Sequence, residues 1–154
     1  MEEKELTRAR DTAYRYLSYR PRSRAEVERK LLEKGFAAGI IDEILSDLVR
    51  LGYLNDETFA VQWAESRARL SSHGRRRIER ELIHKGVNPE LLREKLPVVL
   101  SPDRELATAS EAAERRLRTM QHLDQSTRRR RIAGFLERKG FSYEIIIGIV
   151  KNTK

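Results

Sequence analysis

Residues 23–36 read Ser-Arg-Ala-Glu-Val-Glu-Arg-Lys-Leu-Leu-Glu-Lys-Gly-Phe, and this stretch decides the fold. Its first residue, Ser23, and the glutamate three positions later form a capping box, the side-chain pattern that starts a helix. Val27 and Leu31 are four residues apart, so they share one face of that helix. Gly35 ends the helix, because glycine readily adopts the left-handed conformation of a helix C-cap. The stretch therefore predicts a short amphipathic helix with defined ends.

The same pattern occurs three times along the chain. Lys-Gly followed by an apolar residue stands at 34–36, 85–87 and 139–141, at intervals of about 51 and 54 residues. Each glycine has a leucine four positions before it, a β-branched residue eight positions before it and an apolar residue six positions after it. Those residues are Leu31, Leu82, Leu136, Val27, Ile78, Ile132, Ile41, Leu92 and Ile146. In every repeat the pattern predicts a helix, a glycine-ended turn and a second amphipathic helix.

A longer helical segment precedes each of these helix pairs. Asn55 and Ser101 are suitable N-caps, and Pro102 suits the first position of a helix. The apolar spacing predicts the longer helices at residues 6–19, 56–70 and 102–121. No run alternates apolar and polar residues as a strand would, so the predicted class is all-α. The result is three tandem three-helix repeats, at residues 1–52, 53–99 and 100–154.

Repeats of this size are expected to stack on one another. A unit of about 50 residues buries too little apolar surface to be stable alone, whereas neighbouring repeats bury the faces that they share. We therefore expect an elongated, curved array with a concave side open to a partner. A single compact bundle of nine helices is the alternative that the pattern leaves open.

The composition narrows the class of protein and partner. The 154 residues carry a formal net charge of +8, with 36% charged and 39% hydrophobic residues, which indicates a globular chain with an acidic or polyanionic partner. The absence of cysteine excludes disulfides, thiolate metal sites and cysteine nucleophiles. The most apolar run, 145–150, is too short to cross a bilayer, and the acidic start at 1–5 does not suit a secretory signal. We expect a soluble, cytoplasmic protein without membrane contact.

The positive charge is unevenly distributed along the chain. Residues 67–85 have a net charge of +5 and residues 115–139 a net charge of +7, whereas residues 24–57 and 102–114 each have −3. Most of the excess thus lies in the second and third repeats. The candidate binding residues are Arg67, Arg69, Arg75, Arg76, Arg77, Arg80, Lys85, Arg128, Arg129, Arg130 and Arg131.

Two arginine runs, 75–77 and 128–131, are predicted at helix starts. A helix start already carries partial positive charge, so each arginine there costs from a few tenths of a kcal/mol up to about 1 kcal/mol. Guanidinium groups beside the N–H groups of a helix start suit phosphate or carboxylate ligands. A solvated face that only keeps the protein soluble is the alternative; recurrence at matching repeat positions favours a binding surface.

Catalytic motifs are missing from the sequence. His73, His84 and His122 have no partner at metal-ligand spacing, and no phosphate loop or nucleophile motif occurs. Phe59 and Trp63 lie four residues apart on a predicted helix and are expected in the core. The sequence therefore predicts no enzyme, no cofactor and no metal site.

Sequence-specific DNA recognition also lacks support. In helix-turn-helix proteins the last helix of a three-helix unit reads base edges. The corresponding helices of the first and third repeats carry acids, such as Asp42, Glu43 and Glu144, which phosphates would repel. Aromatic residues do not interleave with the arginine runs, which weakens a base-stacking platform. Non-specific contact with the phosphate backbone stays open.

Several segments together match the pattern of a known family. They are the quoted residues 23–36, residues 51–60 (Leu-Gly-Tyr-Leu-Asn-Asp-Glu-Thr-Phe-Ala), Arg67, Gly74, Ile78, Glu81, Leu82 and 85–87. On these residues, which cover about 12–96, the sequence resembles the RecX family of bacterial RecA regulators. The third repeat follows the family more loosely, through Arg131, Ile132, Leu136 and 139–141. Asn55 stands where the family often has aspartate, and either residue caps a helix.

The resemblance implies a non-catalytic modulator of RecA that acts in recombinational DNA repair and the SOS response. Such a protein would lie in the groove of the RecA filament on single-stranded DNA and inhibit ATP hydrolysis, strand exchange and coprotease activity. The implied partners are the RecA filament and single-stranded DNA, with duplex DNA as a further non-specific ligand, and the free protein is expected to be a monomer. The family supplies no catalytic residues, so the candidate cations rest on charge placement alone.

Two functions from different classes remain open. In one, the RecA filament is the target and DNA contact is secondary; in the other, the chain is a non-specific DNA-binding protein that contacts the phosphate backbone through its arginine clusters. An acidic first repeat favours the filament, since bare DNA would repel it. Changing Arg75, Arg76, Arg77 and Arg80 to glutamate is expected to leave the helix stable while severely weakening inhibition of the filament.

Overall fold

The computed structural model describes residues 1–154, which form nine α-helices, one 3-10 helix and no strand. The predicted all-α class is confirmed. The helices are Glu2–Tyr19 (α1), Arg24–Glu33 (α2), Ala38–Arg50 (α3), Asp56–Ser71 (α4), Arg75–His84 (α5), Pro89–Val99 (α6), Pro102–Leu117 (α7), Gln125–Lys139 (α8) and Tyr143–Asn152 (α9), with the 3-10 helix Arg118–Met120 after α7. None of these helices combines the length and the apolar character that a bilayer crossing requires.

The longer helices differ slightly from their predicted bounds. Helix α1 begins at Glu2 rather than at residue 6, and the acids of its first turn suit the positive end of the helix dipole. Helix α7 ends at Leu117 rather than at residue 121, because the chain tightens there into the 3-10 helix. That tighter turn buries Met120.

The predicted helix caps are confirmed. Both hydrogen bonds of the capping box at Ser23 are present, each 3.2 Å long. The side chain of Asn55 accepts a hydrogen bond of 3.1 Å from the N–H of Thr58, in the first turn of α4. The Ser101 hydroxyl accepts one of 3.3 Å from the N–H of Arg104 at the start of α7. Local side-chain contacts therefore set where these helices begin.

The three Lys-Gly turns also form as predicted. Gly35, Gly86 and Gly140 have φ angles of +84°, +83° and +94°, in the left-handed region. A residue with a Cβ in that conformation costs roughly 1–2 kcal/mol. Each glycine therefore ends its helix and lets the chain reverse into the next one; we call these turns the Lys-Gly corners.

The predicted core residues are buried. All nine residues that recur around the glycines are at most 8% exposed. Seven of them have no exposed surface: Val27, Leu31, Ile78, Leu82, Leu92, Ile132 and Leu136. Burial of one such side chain contributes about 1.5–3 kcal/mol. Phe59 is buried as expected, whereas Trp63 is only half-buried. The periodic positions are therefore a packing pattern, and Trp63 has a different role.

The chain forms two compact units. The first contains Met1–Ala60 and Ile83–Asn88, and the second contains Val61–Leu82 and Pro89–Lys154. The apolar core of the first unit joins α1, α2 and α3 through Ala9, Ala13, Val27, Leu31, Ile40, Ile41, Ile44, Leu45, Leu48 and Leu54. A core of the second unit joins α7, α8 and α9 through Ala109, Ala113, Met120, Ile132, Leu136, Phe141 and Ile146. The first unit includes the corner at Gly86, which belongs to the second predicted repeat.

Candidate functional site

The start of α5, the first predicted anion site, already has ligands from its own chain. The N–H of Arg75 donates to Glu105 Oε2 at 2.8 Å. The N–H of Arg76 donates to the carbonyl oxygen of Gly140 at 3.2 Å. These two N–H groups are therefore unavailable to a phosphate.

The third Lys-Gly corner packs against this same helix start. The N–H of Gly74 donates to the carbonyl oxygen of Lys139 at 2.7 Å. Gly140 lies so close to Arg77 that a Cβ on the glycine would be 2.5 Å from the Arg77 nitrogen. Arg77 Nη1 also donates to the carbonyl oxygen of Arg138 at 3.1 Å. Arg77 is therefore part of the packing between α5 and the corner after α8.

The second corner repeats this arrangement in the first compact unit. The hydroxyl of Ser23 donates to the carbonyl oxygen of Lys85, and Gly86 lies against Ala25 in the first turn of α2. The N–H of Arg24 donates to Asp56 Oδ1 at 2.8 Å, just as that of Arg75 donates to Glu105. The same device therefore occurs twice: a helix start receives a carboxylate and the backbone of a Lys-Gly corner.

Replacing Glu105 with alanine is expected to destabilise the protein by about 2 kcal/mol. Glu105 is only 6% exposed, so its loss leaves the N–H of Arg75 buried without an acceptor, and such groups cost about 1–3 kcal/mol. Asp56→Ala is the matched control, because its bond to Arg24 is exposed to water, and it should cost less than about 1 kcal/mol. Urea unfolding measures both, and equal losses would contradict the role of burial.

The Glu81 carboxylate on α5 lies next to four side chains of the second compact unit, those of Trp63, Arg67, His73 and Arg77. Its carboxylate accepts a hydrogen bond of 2.9 Å from Trp63 Nε1. Arg67 Nε lies 3.8 Å and Arg77 Nε 3.4 Å from its oxygens. The guanidinium of Arg67 is also 4.3 Å from the centre of the Trp63 ring. Two of the candidate cations, Arg67 and Arg77, are therefore engaged within the fold, and the half-buried Trp63 belongs to this cluster.

His73 is the buried member of the same cluster. It is 7% exposed, and its Nδ1 lies 3.1 Å from Glu81 Oε1 in an alignment that does not make a hydrogen bond. Burial lowers the pKa of His73, and the positive charge of Arg77 lowers it further, while Glu81 opposes the shift. The native protein thus favours neutral His73. No group of three or more His, Asp or Glu residues is placed to hold a metal ion.

This lowered pKa predicts how stability depends on pH. Unfolded histidine takes up a proton near pH 6.5, whereas native His73 resists it, so the unfolded state binds more protons and stability falls as the pH drops below about 6.5. His73→Gln should flatten that loss between pH 7 and pH 5. His84→Gln, at an exposed position, is the control and should keep the wild-type slope. Urea unfolding at several pH values would contradict the prediction if both variants kept that slope.

Glu26 lies among cationic side chains in the first compact unit, as Glu81 does in the second. Its carboxylate pairs with Arg20, lies 3.9 Å from Arg22 Nη1 and lies 3.8 Å from Lys85 Nζ. Burial raises the pKa of Glu26, but hydrogen bonds from Arg20 and from the N–H of Ser23, with the charge of Lys85, outweigh it and lower that pKa below its usual value. Lys85 therefore stabilises a helix start rather than standing free.

The arginines of α8 divide into two groups. The helix begins at Gln125 with Asp124 as its cap, so the run 128–131 starts at the fourth helical residue and not at the first. Arg128 Nε donates to the carbonyl oxygen of Lys154 and Arg129 Nε to that of Thr153, each at 2.9 Å. These two arginines donate hydrogen bonds to backbone oxygens after α9, and their positive charge suits the negative end of that helix.

The remaining candidate arginines are exposed, and no carboxylate lies within ion-pair distance of them. They are Arg69 on α4, Arg76 and Arg80 on α5, and Arg130 and Arg131 on α8. Arg75 is half-buried, and its side chain borders a cleft with Arg76 and Tyr143. Charge counting alone did not separate the engaged cations from these open ones.

A second basic surface, in the first compact unit, was missed by the sequence reasoning. A cleft of about 310 Å³ lies between α1 and α2 and is lined by Arg8, Thr12, Arg15, Tyr16, Tyr19, Lys30, Lys34 and Phe36. We call it the Tyr16 cleft. Its α1 residues recur at helical spacing on one face, which was the available signal. The first repeat is therefore not uniformly acidic: its acids Asp42 and Glu43 lie on α3, and this cleft is cationic.

The sequence matches family models along most of its length. Models of the first, second and third three-helix domains of RecX match residues 9–48, 55–96 and 103–149. Each match falls within one predicted repeat. The third repeat, which resembles the family more loosely at its motifs, is therefore recognised as well.

Individual relatives and solved structures give the same result. The chain is 34% identical over 134 residues to Regulatory protein RecX of Pelodictyon phaeoclathratiforme, covering 87% of this chain and 81% of that protein. It is 34% identical over 146 residues to Regulatory protein RecX of Streptomyces coelicolor, covering 95% and 77%. The crystal structure of RecX from Lactobacillus salivarius has a TM-score of 0.88 and 27% identity, covering 97% of both chains. With three domain matches and relatives of this coverage, the chain belongs to the RecX family of regulatory proteins.

Proposed function

We propose that this chain regulates RecA: it binds the RecA filament on single-stranded DNA, in the filament groove, and inhibits ATP hydrolysis, strand exchange and coprotease activity. The observation that carries the proposal is the match to all three RecX domains, together with relatives named Regulatory protein RecX over most of both chains. Recombinational DNA repair and the SOS response are the processes that such inhibition would modulate.

The charge pattern supports a partner that contains both protein and nucleic acid. Exposed acids lie on α3, at Asp42 and Glu43, while unpaired arginines such as Arg76 and Arg80 lie on α5. Acidic side chains suit a basic protein surface, and open guanidinium groups suit phosphates. A filament of protein on single-stranded DNA offers both kinds of surface.

Titration of RecA ATPase activity tests the proposal. The protein is added in increasing ratio to RecA on single-stranded DNA with ATP, and hydrolysis is expected to fall. Inhibition far below one copy per RecA subunit indicates action at filament ends or cooperative loss of RecA, whereas one-to-one titration indicates occupation of the groove. Unchanged hydrolysis at a several-fold excess of the protein would refute the proposed function.

The alternative is a non-specific DNA-binding protein, and the five open arginines are the observation that favours it. Binding to bare DNA at several salt concentrations separates the two functions. About six phosphate contacts would give a log–log slope near −5 on duplex DNA and near −4 on a single strand. Affinity that appears only with RecA and nucleotide present favours the filament, and a steep slope with no effect on RecA favours the alternative.

A further inference from the structure

We propose that the Tyr16 cleft is a binding site for single-stranded nucleic acid, in which cations hold phosphates and Tyr19 stacks on an unpaired base. The inference rests on the proposed function for the source of the strand, the single-stranded DNA of the filament. It assigns strand contact to the first repeat, where the distribution of charge along the sequence placed none.

The charge of the cleft calls for an anion. Arg8, Arg15, Lys30 and Lys34 line it, and no carboxylate lies among its lining residues. None of the four forms an ion pair with an Asp or Glu side chain. Like charges gathered in a concave surface repel one another and focus a positive potential. Phosphate groups would relieve that repulsion through charge-assisted hydrogen bonds.

The aromatic residues show where a base would lie. The Tyr16 ring is covered by Arg22 at 3.9 Å and by Lys30 at 5.4 Å, and the guanidinium of Arg8 lies 5.9 Å from the centre of Phe36. Tyr19, by contrast, is 77% exposed at the edge of the cleft. Stacking on an aromatic ring needs an unstacked base, which a single strand offers and a duplex does not. An acidic peptide would satisfy the cations but would leave the exposed ring without a planar partner.

The corresponding surface of the second repeat contains an acid. Lys30 stands five residues before its corner glycine, and Glu81 stands at that position in the second repeat. Glu81 accepts a hydrogen bond from Trp63 Nε1 at 2.9 Å and lies within ion-pair distance of Arg67 and Arg77. These two arginines therefore already have a carboxylate partner within the chain, unlike the cations of the Tyr16 cleft.

The third repeat has cations and an aromatic ring in its groove, but the chain itself uses them. Arg115 Nη2 donates to Ser72 Oγ at 2.8 Å, and Lys139 Nζ donates to the carbonyl oxygen of Ser71 at 3.0 Å. The ring of Phe135 lies 5.5 Å from the guanidinium carbon of Arg116. The first repeat differs from both others because the side chains of its four cleft cations form no hydrogen bond or ion pair within the chain.

Binding of labelled oligonucleotides to the full chain, without RecA, tests the site. Fluorescence anisotropy with oligo(dT), oligo(U) and a duplex of equal length compares Tyr19→Ala with Tyr19→Phe. Tyr19→Ala should weaken single-strand binding about tenfold, whereas Tyr19→Phe keeps the ring and the affinity. Tyr19 is exposed, so both variants should melt like the wild type.

The cationic part of the site is tested through the salt dependence of binding. Arg15→Ala with Lys34→Ala should make the log–log salt slope on oligo(dT) shallower by about 1.4, since each phosphate contact on a single strand contributes about 0.7. Lys4→Ala with Arg29→Ala is the matched control: both residues are exposed in the same unit and lie outside the cleft. This control should keep the wild-type slope.

Three results would overturn the inference. They are equal affinities for Tyr19→Ala and the wild type, duplex bound as tightly as oligo(dT), and poly-glutamate competing as well as the oligonucleotide, which would assign the cleft to an acidic protein. The ATPase titration is a separate measurement. If the protein inhibits ATP hydrolysis by RecA but does not bind the oligonucleotides, only the proposal for the Tyr16 cleft is refuted. If it binds the oligonucleotides but does not inhibit hydrolysis, the proposed function is refuted.

Discussion

Replacing Gly140 with alanine is expected to lower the free energy of unfolding by about 3 kcal/mol or more. The φ angle of +94° costs a residue with a Cβ roughly 1–2 kcal/mol. The new Cβ would also lie 2.5 Å from the backbone nitrogen of Arg77, inside the 3.0 Å that real Cβ contacts keep. Overpacking of this kind typically costs about 1–3 kcal/mol.

Gly35→Ala is the matched control for this prediction. Gly35 has a φ angle of +84°, but a Cβ there would meet nothing within 4 Å. This variant should therefore lose only the conformational part, roughly 1–2 kcal/mol. Urea unfolding followed by circular dichroism compares the two variants. Equal losses would show that the contact between Gly140 and α5 does not constrain the fold.

Gly86 allows the same contact to be tested by rescue. A Cβ on Gly86 would overlap the Cβ of Ala25. Gly86→Ala should therefore be as damaging as the change at Gly140, and combining it with Ala25→Gly should recover the part of the loss that comes from overlap. A double-mutant cycle between the two positions measures this coupling. Additive losses would contradict the packing of the corner on α2.

The second large effect concerns function: Arg76→Glu combined with Arg80→Glu should raise the dose needed to inhibit RecA at least tenfold. Both side chains are exposed on α5 and have no carboxylate partner, so charge reversal removes two cations without breaking an internal contact. Position 76 lies in the first turn of α5, where an acid suits the helix dipole, and position 80 is exposed, so the melting temperature should hold. ATP hydrolysis by RecA on single-stranded DNA provides the measurement.

The matched control reverses two cations at the start of another helix. Arg24→Glu with Arg29→Glu changes the net charge equally, and both residues are exposed on α2, where Arg29 occupies the repeat position of Arg80. This control should inhibit like the wild type. If the Arg76/Arg80 variant also inhibits at the wild-type dose, these arginines form only a solvated face, and the acidic surface of α3 becomes the place to look for binding.

Arg77 is left out of this design because the structure changes the expectation for it. The sequence predicted that glutamate at 75, 76, 77 and 80 would leave α5 stable. Arg77, however, donates to the carbonyl oxygen of Arg138 and pairs with Glu81. Arg77→Glu would lose both contacts and place a second carboxylate four residues from Glu81. The quadruple variant would therefore mix lost stability with lost binding.

The fold could be predicted almost completely from the sequence because its determinants are local. The capping box at Ser23 joins residues three apart, and the corner glycines end their helices through their own φ angles. The apolar pair at Val27 and Leu31 follows from the pitch of one helix. These interactions act within a single turn, so one stretch of residues contains all the information that they need.

The candidate site depended on contacts between residues far apart in the chain. Glu105 lies thirty positions after Arg75 yet caps its helix, and Arg129 reaches the carbonyl group of Thr153. A count of charges along a segment treats these arginines alike, although a partner distant in sequence decides which of them stays open to a ligand. That count also left out α1 and averaged the cations of α2 with the acids of α3. The sequence by itself therefore determined the helices, their ends and the repeat, while only the tertiary structure decided which charges face one another and which face the solvent.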